Sequence, residues 1–129
     1  MKNEPAFSTQ KSGSVVITDD TNGNVVCTHG SLANTFRTRL FGLLGRKGLA
    51  EGTGLLINPS SGVHTFGMSF PIDIVALDKY DRVVGVFHEV GAWTIRGVSF
   101  KTRSVLELPA GRIRECNIQP GNQLTIQPC

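Results

Sequence analysis

The 129-residue sequence predicts a mainly β (α+β) fold, a small partly closed β-barrel with one main helix packed across it and a short second helix before the last strand. Three observations predict it. Short β-branched runs recur after Gly54 with turn residues between them, roughly every 8–12 residues. One stretch, Ser31–Leu44, carries apolar residues at helical spacing over more than three turns. Helical patterns do not alternate with strands, which excludes a chain of βαβ units.

Residues 1–13 show no period and read as a loose N-terminal leader, leaving 14–129 as a single globular domain. Ser14-Val-Val-Ile and Val25-Val-Cys-Thr flank a turn cluster in which Asn22-Gly23 supplies the positive-φ position of a hairpin. Ser31 is placed to cap the main helix, with Leu32, Phe36, Leu40 and Leu43 on one face and Gly45 or Gly48 ending it. Leu55-Leu-Ile reads as a strand up to the Asn58–Gly62 loop, and Val63–Phe70 alternates as a second. Ile72–Leu77 is an apolar run, Asp78–Asp81 a turn, and Arg82–Val90 alternates again, with Val84, Val86, His88 and Val90 on one side and Val83, Phe87 and Glu89 on the other. Thr102–Leu108 is a strand broken by Pro109-Ala-Gly111. Arg112–Asn117 makes about two helical turns, and Gln123–Gln127 is the final strand.

Thirteen Lys+Arg against ten Asp+Glu give a net charge of +3, far from the dense basic stripe of a dedicated nucleic-acid binder. The aromatic residues support the same exclusion of specific nucleic-acid binding: one Tyr, one Trp, and seven Phe mostly at core-type positions. No apolar stretch is long enough for a membrane span. The polar N-terminus lacks the apolar core of a signal peptide and points to the cytoplasm, or to the periplasm if a leader has been cut away. Three cysteines without Cys-x-x-Cys or Cys/His ligand spacing point to reduced thiols and no metal, with a Cys27–Cys116 bridge left open. No nucleotide loop, nucleophile elbow or metalloprotease motif is present, and no cofactor is expected.

A set of separated segments occurs in a recognisable order: Arg39-Leu-Phe-Gly-Leu-Leu-Gly-Arg46, His64-Thr-Phe-Gly-Met-Ser-Phe-Pro-Ile-Asp73, Ala76-Leu-Asp78, Trp93, Val105-Leu-Glu-Leu-Pro-Ala-Gly111 and Ile118-Gln-Pro-Gly-Asn-Gln-Leu124. Together they resemble the uncharacterised bacterial and archaeal family called domain of unknown function 192, over roughly Val25–Ile126. The resemblance implies no settled biochemical role. Relatives with the His-Thr-Phe-Gly-Met form associate it with pilus and secretion genes. The C-terminal segment also resembles the turn-to-strand unit of cradle-loop barrels, with Asn122 where those barrels carry Asp.

Asp73 interrupts an apolar run, so its charge demands a partner, either one of Arg39, Arg46, Arg96 and Arg103 or His64. His64 is a base or ligand, or a histidine satisfied inside the fold; Asp73 is a cleft carboxylate, or a tie between helix and sheet. Arg39 and Arg46 lie seven apart on one helical face, and Trp93 with Arg96 forms a lid or a ligand platform. Cys27 and His29 sit two apart, a spacing that could lower the thiol pKa. The expected function is a non-catalytic binding or accessory module for an unknown small ligand or protein partner, in support of an envelope, pilus or secretion system. Its groove is lined by His64, Phe66, Met68, Asp73, Trp93 and Arg96, with Arg39 and Arg46 on the rim. The alternatives are a small hydrolase-like or ligand-processing enzyme using a His64/Asp73 pair, and a purely structural interaction domain.

Overall fold

The computed structural model describes residues 12–33, 49–61, 63–64, 70–91, 95–96 and 99–129. Among these described residues nine strands and one helix follow in order: β1 (Ser12–Asp19), β2 (Val25–Ala33), β3 (Thr53–Ile57), β4 (Val63–His64), β5 (Ile72–Leu77), β6 (Val83–Val90), β7 (Ile95–Arg96), β8 (Ser104–Pro109), α1 (Arg112–Cys116) and β9 (Leu124–Pro128). Seven strands form one sheet in the order β6-β5-β8-β3-β2-β1-β9, and β4 pairs with β7. The two edge strands meet at one end. There Arg82 bridges Gln123, the Val83 N–H donates to the Asn122 carbonyl (2.9 Å) and the Leu124 N–H to the Asp81 carbonyl (3.0 Å). The sheet is therefore a partly closed barrel, as the turn spacing predicts.

Its interior is an apolar cluster drawn from β1, β2, β3, β5, β6, β8, β9 and α1, including Val15, Ile17, Leu56, Val75, Leu106, Ile113 and Leu124. A second cluster, Leu55, Ile57, Phe70, Ile72, Ile74, Val90 and Val105, covers the opposite face of β3, β5 and β8. Strand β5 is thus buried on both faces, which is why Ile72–Leu77 reads as a nearly unbroken apolar run.

The turn joining β1 to β2 is the one that Asn22-Gly23 predicts. Gly23 has φ +82°, and its N–H donates to the Asp19 carbonyl (2.7 Å). Strand β1 begins at Ser12, paired with Ala33.

Ser31 is not a helix cap. It lies within β2, opposite Ser14 of β1 and Leu55 of β3, and the strand runs on to Ala33. Pairing on both sides satisfies the backbone more fully than one capping hydroxyl would. The rest of the expected main helix, residues 34–44, lies outside the described residues. Gly30 suits this central position. A Cβ there would lie 2.8 Å from Val15 Cγ2 and 3.0 Å from Cys27 Sγ.

The alternation expected for Arg82–Val90 is also reset. Pairing of β5 with β6 shifts between Ala76 and Leu77 and again between Ile72 and Ile74, each shift a bulge in β6. A bulge inserts a residue and reverses the side-chain parity beyond it. Val83 and Val86 consequently join the interior cluster, whereas Phe87 and Val90 join the second.

Candidate functional site

Asp73 sits on β5 with 0% of its surface exposed, facing the end of the barrel interior. Opposite it, the second bulge removes Glu89 from the ladder and leaves it at φ +48°. The Glu89 N–H donates instead to Asp73 Oδ1 (2.8 Å). Asp73 Oδ2 accepts the N–H groups of Gly111 (3.0 Å) and Ile113 (2.9 Å). Gly111 is the residue preceding α1, has φ +94°, and has no side chain to cap the helix. A carboxylate from a distant strand does that work. Arg112 completes the docking of α1, donating from Nε to the Val26 carbonyl (3.0 Å) and from a terminal nitrogen to the Val25 carbonyl (2.9 Å).

A second buried carboxylate, Asp19, ends β1. Its Oδ1 accepts the Thr21 N–H (3.0 Å) and its Oδ2 accepts Nδ2 of Asn122 (2.8 Å) and of Asn22 (3.3 Å). Asn122 thus uses its amide as a donor, a role no aspartate in that position could fill. Glu107, on β8 between Leu106 and Leu108, is also fully buried, on the face of the second cluster.

The cysteines carry no nucleophilic arrangement. All three are free, and burial pushes the Cys27 and Cys116 thiols up. Cys27 is buried while His29 is exposed, because the β1–β2 register shifts between them.

An open cleft of about 370 Å³ lies between two turns, lined by Asp78, Lys79, Tyr80, Phe100, Lys101, Thr102 and Arg103. The register places it. Leu77 pairs with Ser104, so the chain leaving β5 and the chain entering β8 run side by side. Both turns are pinned. Asp78 Oδ1 accepts the N–H groups of Tyr80 (2.8 Å) and Arg82 (3.0 Å), and Ser99 Oγ accepts that of Lys101 (3.2 Å). The Arg103 N–H donates to the Leu77 carbonyl and its own carbonyl accepts the Ser60 N–H, each at 2.7 Å. Tyr80 is 67% exposed and Phe100 95%. The Lys79 ammonium lies 5.2 Å from the Tyr80 ring centre and that of Lys101 lies 5.9 Å from Phe100.

Residues 16–126 match the family model of domain of unknown function 192, described as an uncharacterised ACR. The chain belongs to this family. It is 30% identical over 115 residues to a UPF0127 protein of Thermococcus gammatolerans, covering 85% of this chain and 74% of that one. Two crystal structures share the fold. A protein of unknown function from Novosphingobium aromaticivorans superposes with a TM-score of 0.72 at 19% identity, covering 97% of this chain and 99% of that one. A candidate transcription regulator from Sinorhizobium meliloti superposes at 0.70 and 20% identity, covering 88% and 92%.

Of the groove residues singled out from the sequence, Asp73, His64 and Arg96 lie among the described residues. Asp73 is buried as expected, but its partners among the described residues are three backbone N–H groups, not an arginine or His64. Closed to solvent and fully bonded, it ties helix to sheet and does not line an open groove. His64 and Arg96 lie in adjoining register positions of the β4–β7 pair, in which Val63 pairs with Arg96 and His64 with Ile95. Phe66, Met68, Trp93, Arg39 and Arg46 lie outside the described residues. The cleft at Tyr80 and Phe100 is absent from the sequence reading, which placed most phenylalanines in the core. Its signal was Phe100-Lys101 and Lys79-Tyr80, two aromatic–lysine neighbours in turn sequence.

Proposed function

We propose that this chain is a non-catalytic binding module whose cleft between residues 78–80 and 100–103 takes an anionic ligand. The observation that supports this reading is the cleft's composition. Three cations, Lys79, Lys101 and Arg103, stand around one carboxylate, and that carboxylate already accepts two N–H groups of its own turn. Among the described residues no group of His, Cys, Asp and Glu could hold a metal ion. The Asp73 carboxylate is committed to backbone N–H groups, which weighs against a His64/Asp73 proton-transfer pair. A cytoplasmic setting suits three free thiols. No helix of the described residues is long and apolar enough to cross a membrane.

The test is a thermal melt with inorganic tripolyphosphate. A ligand at 100 times its Kd stabilises the folded state by about 2.7 kcal/mol. The wild type should gain that shift, and a Lys101→Glu/Arg103→Glu variant should lose it. Equal shifts in both proteins would place the anion site elsewhere and refute the reading.

A further inference from the structure

We infer that the ligand of this cleft is a nucleotide unit, with its base stacked on Phe100 and Tyr80 and its phosphate held by Lys79, Lys101 and Arg103. The inference rests on the binding-module reading and adds the ligand's chemistry to it.

The rings argue for a planar partner. Of the three large hydrophobic side chains exposed among the described residues, Val25, Tyr80 and Phe100, two line this cleft. Leaving a phenylalanine in water forgoes about 1.5–3 kcal/mol of burial, and an exposed ring on a floppy tip would do nothing in return. This one is held out on a fixed turn: Thr102 N–H donates to the Ser99 carbonyl (3.1 Å) and Lys101 N–H to Ser99 Oγ (3.2 Å). The Tyr80 carbonyl is anchored in the same way by Gln123 Nε2 (2.7 Å). Rings presented on rigid turns lose little freedom when a base stacks on them.

The cations argue for phosphate beside the base. Bare phosphate would use the cations and ignore the rings, and a purely apolar ligand would do the reverse. Aromatic platforms set among lysines and arginines are the pattern that binds bases by their π-faces and the backbone by its charge. The volume, about 370 Å³, is at the small end for ligand sites and suits one nucleotide better than a folded partner. Stacking uses a face that every base has, so the site discriminates weakly among bases.

The same chemistry arrives as a free nucleotide or as one residue of a single strand, and four probes separate the cases. Binding of tripolyphosphate, adenosine monophosphate, a fluorescent oligo-dT of eight nucleotides and hexaglutamate is measured on wild type and Phe100→Ala. Phe100 is exposed, so its removal leaves the fold intact. Adenosine monophosphate or the oligonucleotide should bind the wild type, and Phe100→Ala should weaken that binding about 5- to 150-fold. Tripolyphosphate binding should stay within twofold in the same variant. Tighter binding of the oligonucleotide than of the monophosphate assigns a strand, with about a sevenfold loss from 50 to 200 mM salt if two phosphates are engaged. The reverse order assigns the free nucleotide. Tripolyphosphate binding with no gain from a base, or hexaglutamate binding as tightly as the nucleotides, overturns the inference and leaves the anion-binding reading standing. Failure of every probe overturns both.

Discussion

Replacing Asp73 by alanine removes the acceptor for three backbone N–H groups at once, two at the start of α1 and one at the β6 bulge. The bond to Ile113 is buried, so its donor has no water to turn to and its loss costs about 2 kcal/mol. The Glu89 and Gly111 donors are partly buried and recover some hydration, so each costs about 1 kcal/mol. The total of about 4 kcal/mol is a large part of the 5–15 kcal/mol that holds a typical domain folded. Asparagine separates the hydrogen-bond account from simple loss of side-chain volume. With its oxygen at the Oδ2 position it still accepts from Gly111 and Ile113, but its amide then faces the Glu89 N–H, a donor against a donor. The expected cost is about 2 kcal/mol. Urea titration reads both. At a slope of about 1.5 kcal/mol per molar, the midpoint should fall by about 2.5 M for Asp73→Ala and by half that for Asp73→Asn. A loss below about 1 kcal/mol for alanine, or equal losses for the two variants, would refute the reasoning.

Two further predictions concern charge. Asn122→Asp would set a second carboxylate about where Nδ2 now meets Asp19 Oδ2 at 2.8 Å, so it should destabilise by about 2 kcal/mol at pH 7. Because the like charge raises the folded-state pKa, the deficit should shrink as pH falls through the carboxylate range, as urea midpoints between pH 7 and 3 would show. Burial, followed by the neighbouring Asp78, holds the Asp81 carboxyl above its ordinary value of 3.8. An acid raised on folding loses stability as pH rises through that window, so Asp81→Asn should stabilise by about half a kcal/mol at pH 7 and be neutral below pH 3.8. A variant no more stable than wild type at pH 7 would contradict this.

The elements legible in the sequence were those whose cause is local. Asn22-Gly23 announces its turn because few other residues tolerate the backbone there, and Ile72–Leu77 announces a buried strand by composition. Asp73 announced that it needed a partner, yet not which one, since a backbone N–H leaves no mark in the amino-acid code. Ser31 looked like a cap because a hydroxyl precedes an amphipathic run, and two neighbouring strands from elsewhere in the chain overrode it. The expected grouping of Val83 with Phe87, and of Val86 with Val90, fails at bulges that only the β5 partner reveals. Asp19 falls in the turn cluster and Glu107 in a strand, and neither position signals its burial, because each is buried by distant segments. The aromatic cleft depends on the Leu77–Ser104 register, a property of two strands that neither sequence carries alone.

The place of β1 between β2 and β9 bears on how the molecule is made. Val15 of β1 pairs with Pro128, and Asp19 with Leu124, so β1 completes its ladder only with a strand far downstream in the chain. A β1–β2 hairpin without β9 presents an unpaired row of N–H and C=O groups that invites strands of neighbouring chains. Contacts of such long sequence separation also close slowly. Until β9 docks, Leu124 is missing from the interior and Asn122 from Asp19, so the barrel without β9 is open at that edge and short of part of its core.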